Sequence, residues 1–195
     1  MKISYHTSSP TGFTLIELLV VITIIATLAA AGFSVGPTLI NKAKKTSGLA
    51  TASSISMAVE QYFTEYSALP AGSDSASEAT TLDTTSSGVN VLKILAGDDF
   101  NGQNPRKIRF LSVKEAKNNI DGAVYDNSGK ISKIYDPWGQ PYYIRLDYDY
   151  DEKLEFDPTP SKIPSITLNG RRVAVYSHGV RSDNDADDKT MIKTW

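Results

Sequence analysis

Gly12-Phe13-Thr14-Leu15-Ile16-Glu17 opens the stretch that decides how this chain is read. An apolar run follows as far as Val35, and Glu17 is its only charge. At about 1.5 Å per residue, a helix from Phe13 to Val35 is about 35 Å long, enough to cross the ~30 Å hydrocarbon core of a bilayer. A lone carboxylate at the centre of such a run is disfavoured by about 3 kcal/mol and marks function by default. Position moderates that cost. A cut after Gly12 would make Phe13 the new first residue, with a free amine, and Glu17 the fifth. Glu17 would then lie ~6 Å from the helix start, within reach of the headgroups and at the helix end that favours anions.

The GFTLIE segment resembles the class III signal of type IV pilins and type II secretion pseudopilins. In that family a membrane peptidase cuts after the glycine and methylates the new amine, most often on phenylalanine. The resemblance therefore assigns Gly12 and Phe13 to processing and Glu17 to assembly. In a filament Glu17 would be buried among helices, with the amine of a neighbouring Phe13 as its cation. An ordinary secretory signal has a shorter apolar core, about 7–15 residues, and is cut after it. Ala29-Ala30-Ala31 could imitate such a site.

The chain has 195 residues, room for an anchor and one domain of ordinary size. Net charge is −2, or −3 without Lys2 and the rest of the leader. No basic block points to nucleic acid. Positive charge alone leaves topology open: Lys2 precedes the apolar run, and Lys42, Lys44 and Lys45 follow it. The peptidase of the resembled family works on the cytoplasmic side, which puts the domain in the periplasm and the anchor in the bacterial inner membrane, single pass. Cysteine is absent. Many type IV pilins close a C-terminal loop with a disulfide, so its absence tilts the resemblance towards the pseudopilins.

Beyond the run, Ile55, Ala58, Val59, Tyr62, Phe63 and Tyr66 follow helical spacing, an apolar stripe suited to covering a sheet. The helix should end near Ser67, ahead of Leu69-Pro70. Gly32, Gly36 and Pro37 are poor helix-interior residues. Gly32 and Gly36 also make a small-xxx-small pair, read either as packing surface or as tolerance of a weak spot. Ala71–Gly88, rich in Ser, Thr, Ala and Asp, reads as an exposed loop. Val91–Gly97 reads as a short helix with a glycine stop, and Asn104–Leu111 as an extended segment.

The last third is β-like. Asp136-Pro137-Trp138-Gly139 favours a type I turn, and Tyr142–Leu146 follows as a strand. Asn169-Gly170 separates Ile166–Leu168 from Val173–Tyr176 and signals a hairpin, with Arg171-Arg172 able to shift its register. Asp147, Asp149 and Asp151 form an acidic cluster that could rival the C-terminal loop as a calcium site, but alternation in a strand explains them more simply as one exposed face. The resulting fold class is α+β, a pilin-like ladle whose long N-terminal helix packs on a small C-terminal antiparallel sheet. Its organisation is a leader 1–12, a transmembrane and filament-core helix 13–35, a domain half of the helix 36–67, a connecting region 68–130, and a β-meander with an acidic loop 131–195.

Asp136-Pro137-Trp138-Gly139-Gln140-Pro141-Tyr142 resembles the DPWG-N-P-Y signature of major pseudopilins. The tail, from Tyr176-Ser177-His178-Gly179 to Trp195, resembles that branch too, although Val180-Arg181-Ser182 departs from its usual glycine-rich loop. Asp183, Asp185, Asp187 and Asp188 crowd one loop, favouring either extension into water or capture of a hard cation. The resemblance implies calcium there. It also implies a subunit that polymerises with itself and with other pseudopilins into a periplasmic filament for type II secretion. Its further partners would be prepilin peptidase, an inner-membrane assembly platform and, before assembly, lipid; the alternative is a pilus pilin or minor pilin for adhesion or DNA uptake. An enzyme is disfavoured. The chain has two histidines, one of them in the leader, and no cysteine. Ser177 and His178 are adjacent, so a strand points them to opposite faces. No glycine-rich phosphate loop precedes a helix, so neither catalytic residues nor an organic cofactor are expected.

Overall fold

A computed structural model describes residues 12–73, 77, 79–158, 163–180 and 190–195. Two compact units divide the chain, Met1–Ile40 and Asn41–Trp195. Helix α1 spans Leu15–Tyr66 and carries its backbone through Gly32, Gly36 and Pro37. In the first unit every large apolar side chain from Leu15 to Leu28 is exposed, from 46% at Val21 to 85% at Leu15. A helix apolar on every side belongs in an apolar surrounding.

The second unit is α+β. Strand β1 (Leu82–Asp83), helix α2 (Val89–Leu95), β2 (Gly122–Tyr125), β3 (Ile131–Tyr135) and β4 (Tyr143–Leu146) come first. Strands β5 (Lys153–Phe156), β6 (Ile166–Asn169), β7 (Val173–Ser177) and β8 (Ile192–Lys193) follow. The main antiparallel sheet has the order β1-β4-β7-β8, and β2-β3 and β5-β6 form two-stranded sheets beside it. The stripe Ile55, Ala58, Val59 and Tyr62 is buried as its spacing requires, each residue at most 2% exposed. Phe63 and Tyr66 pack at the edge of the same core. Each fully buried large apolar side chain contributes about 1.5–3 kcal/mol, so this face fixes the helix on the sheet.

Strand β7 decides the layering. All five of its residues are buried, and β4 and β8 occupy its two edges. Val173 and Val175 join the core shared with α1, whereas Ala174 and Tyr176 join a second cluster with Leu154, Phe156, Ile163 and Met191. The β5-β6 pair covers that second face, and Trp195 meets Phe156 edge-on at 5.7 Å.

Four expectations change. Asn169-Gly170 does not close a hairpin: with both edges of β7 filled, β6 pairs with β5 instead. Gly170, at φ +68, turns the chain between sheets and donates its N–H to Glu152 O at 2.7 Å. The polar stretch 71–88 is not wholly exposed, because Leu82 pairs with Ile144 at the sheet edge and Thr84 is fully buried. Thr84 is tolerated there because its Oγ1 donates to Ile134 O and accepts from Tyr142 N, at 2.8 and 2.9 Å. Asn104–Leu111 is not extended throughout: the chain turns at Pro105-Arg106 and Lys107 stands at φ 51, while buried Asn104 braces the segment through the carbonyls of Ile94 and Ile108, each at 2.9 Å. Finally, Asp147–Glu152 is the loop between β4 and β5 rather than an exposed strand face, and Asp147 is fully buried.

Candidate functional site

Gly12, Phe13 and Thr14 precede α1, so the glycine–phenylalanine bond lies ahead of regular structure. Phe13 is exposed. Thr14 N and Oγ1 both donate to Glu17 Oε2, at 2.9 and 2.7 Å, and Glu17 N donates to Thr14 Oγ1 at 3.3 Å. This reciprocal pair is a capping box: a Thr at the cap and a Glu three residues on satisfy each other's backbone donors. Glu17 is therefore an integral part of the helix start as well as the one acid of the apolar run. The signal was present as Thr14-x-x-Glu17, but it was absorbed into the longer motif. Oε1 of Glu17 receives no hydrogen bond among the described residues, leaving half of the carboxylate open to an outside donor.

The Asp136 turn is the second feature. Gly139 N donates to Asp136 O at 3.0 Å, closing a four-residue turn with Pro137 at its second position. Gly139 stands at φ +83, where glycine is at ease. Asp136 Oδ1 accepts the backbone N–H groups of Trp138 and Gln140, both at 2.8 Å, and Oδ2 accepts Ser177 Oγ at 2.7 Å. Burial raises the Asp136 pKa, outweighing the donors from Ser177, Gln140 and Trp138 that lower it. The turn also meets the helix. Lys44 lies over the Trp138 ring at 5.9 Å, and Pro137 sits against Gly48. Tyr142, two residues past Gln140, donates its OH to Gly48 O at 3.1 Å. Ser177 is thus committed to the turn, while His178 lies against Tyr143 with ring centres 4.9 Å apart. This arrangement is architectural; it ties one turn to the helix and to the end of β7.

Asp183, Asp185, Asp187 and Asp188 lie outside the described residues. Asp147, Asp149 and Asp151 instead converge, with one oxygen from each within 4.8 Å of the others.

Residues 8–33 match the family model for the prokaryotic N-terminal methylation motif, the type IV pilin-like signature. That signature belongs to a structural rather than an enzymatic family, and it implies prepilin peptidase processing, self-assembly and a membrane-anchored N-terminal helix. No curated protein matches the chain, and no solved structure does. Among the described residues no helix is long and apolar enough to cross a membrane.

Proposed function

We propose that this chain is a pseudopilin, a non-enzymatic subunit of a periplasmic filament that serves type II protein secretion. The observation that carries this reading is the helix start, where Glu17 caps its own helix yet keeps Oε1 open. In lipid the exposed apolar surface from Leu15 to Leu28 is solvated by acyl chains. In a filament the same surface is covered by neighbouring helices. Glu17 Oε1 then loses water and takes the ammonium of an adjacent Phe13, freed by cleavage after Gly12. An unpaired buried charge would cost several kcal/mol, so the pair selects the register in which subunits stack.

Two features favour a secretion pseudopilin over a pilus pilin: the buried, fully bonded Asp136 turn in the place of the DPWG signature, and the absence of cysteine. A calcium ion held by Asp183, Asp185, Asp187 and Asp188 would do for the C-terminal loop what a disulfide does elsewhere. The anchor lies in the inner membrane, the domain in the periplasm, and the partners are further pseudopilins, the peptidase and the assembly platform.

Glu17→Ala tests the reading. It should insert in the membrane and fold, but yield no sheared filament; Glu17→Gln retains the cap acceptor and separates charge from hydrogen bonding. Normal filament yield from Glu17→Ala would contradict the pairing. Deleting the gene should abolish export of secreted proteins and leave pili intact; loss of pili with normal export would assign the chain to a pilus.

A further inference from the structure

The loop Asp147-Tyr148-Asp149-Tyr150-Asp151-Glu152 joins β4 to β5 and has a charge arrangement the rest of the fold does not explain. Its three aspartates each bring an oxygen to within 4.8 Å of the other two. Asp147 is fully buried; its Oδ2 accepts Glu152 N at 2.9 Å, but among the described residues its Oδ1 has no hydrogen-bond partner. A buried, bare carboxylate oxygen beside two further carboxylates is among the costliest arrangements a domain can hold. Nearby cations engage glutamates: Arg172 reaches Glu152 at 3.1 Å and Glu60 at 3.7 Å, and Lys153 reaches Glu155 at 2.9 Å.

We propose that Asp147, Asp149 and Asp151 form a calcium site, distinct from the acidic loop 183–188. Three carboxylate oxygens within 4.8 Å of one another suit a hard divalent cation. Calcium accepts six to eight oxygens in flexible geometry, with water completing the set, whereas magnesium demands a near-ideal octahedron and dehydrates reluctantly, so a loop offering three carboxylates favours calcium. The loop is not an EF-hand: counting from Asp147, the sixth position is Glu152 rather than glycine and the twelfth is Pro158 rather than glutamate. Exposed Asp149 and Asp151 supply the entry side, and Asp147 the floor.

The site would act on the helix–sheet joint. Tyr150 OH accepts Leu69 N at 3.2 Å, and Tyr148 OH donates to Pro70 O at 2.9 Å, so the loop grips the chain just after α1 ends. Tyr150 and Glu152 stand at φ 61 and 62, left-handed positions that cost non-glycine residues about 1 kcal/mol each. A cation across the three carboxylates holds both the turn and the grip.

The test uses the full chain in detergent carrying Asp187→Ala and Asp188→Ala, which removes the terminal loop from the response. Calcium titrated by calorimetry should bind once, with half-saturation at ~0.1–1 mM. Tenfold excess over Kd should raise Tm by about 3–6 °C. Adding Asp149→Asn and Asp151→Asn, both exposed and harmless to folding, should abolish uptake and shift while leaving the melt in chelator no lower. Calcium should also slow hydrogen exchange across 147–153. No binding in the first protein, retained binding in the second, or an equal response to magnesium would overturn the site.

Discussion

Ser177 Oγ donates a 2.7 Å hydrogen bond to Asp136 Oδ2 in a fully buried setting, joining the end of the central strand to a turn 41 positions earlier. Ser177→Ala should therefore cost about 1–3 kcal/mol, because it strips a buried carboxylate of a donor rather than removing a surface contact. Chemical denaturation of the full chain in detergent checks this. A loss under ~0.5 kcal/mol would mean that water replaces the hydroxyl.

The same carboxyl sets a pH dependence. Its folded pKa lies above the ordinary 3.8, so the fold prefers the protonated form. That preference stabilises the protein fully below the unfolded value and is lost as pH rises through the folded value. Relative to Asp136→Asn, wild-type stability should decline as pH rises from 3.8 through the folded pKa. Ser177→Ala, which removes a group that lowers the pKa, should extend the decline to higher pH. Parallel stability curves for wild type and Asp136→Asn would contradict the assignment.

Gly48 lets α1 approach the turn. A Cβ there would overlap Ile192 Cδ1 and stand 3.0 Å from Pro137 Cδ. Helix propensity favours alanine over glycine by about 1 kcal/mol, but overpacking costs ~1–3 kcal/mol, and Ile192, whose Cδ1 must give way, is itself buried in the core. Gly48→Ala should lower Tm. Adding Ile192→Val, which deletes the offending methyl, should recover part of the loss. A raised Tm in Gly48→Ala would show that the helix has room to retreat.

At the other end of the chain, Thr14→Ala removes both the cap acceptor and one donor to Glu17. The first turn of α1 should fray by about 1 kcal/mol, with amide exchange at Glu17 roughly fivefold faster, while the domain melts unchanged. Unaltered exchange would show that the capping box contributes nothing in lipid.

Local signals were readable from sequence, and long-range pairings were not. The 52-residue helix, its buried stripe and its end at Tyr66 follow from spacing and from Leu69-Pro70. The DPWG turn follows from proline and glycine. Strand β1 escaped notice because two residues inside a Ser/Thr-rich stretch carry no period, and Thr84 is kept in the core by partners 50 and 58 residues away. Asn169-Gly170 misled because hairpin closure depends on whether β7 has a free edge, and β4 and β8 fill both. Alternating Asp147, Asp149 and Asp151 imitated a strand face, since a loop folding carboxylates together leaves the same letters in the same order. At the candidate site, Gly12, Phe13 and Glu17 were marked by motif, but the capping role of Glu17 emerged only with its distances to Thr14.

If the chain enters its filament as a processed subunit, it begins at Phe13. Intact and N-terminal peptide mass spectrometry of the protein, recovered from membranes of a cell that holds the peptidase, reads that terminus. The chain should start at Phe13 with one extra methyl on its amine, and a bulky residue in place of Gly12 should leave the leader attached. An intact leader in the wild-type protein, or a chain starting after Ala31, would contradict it.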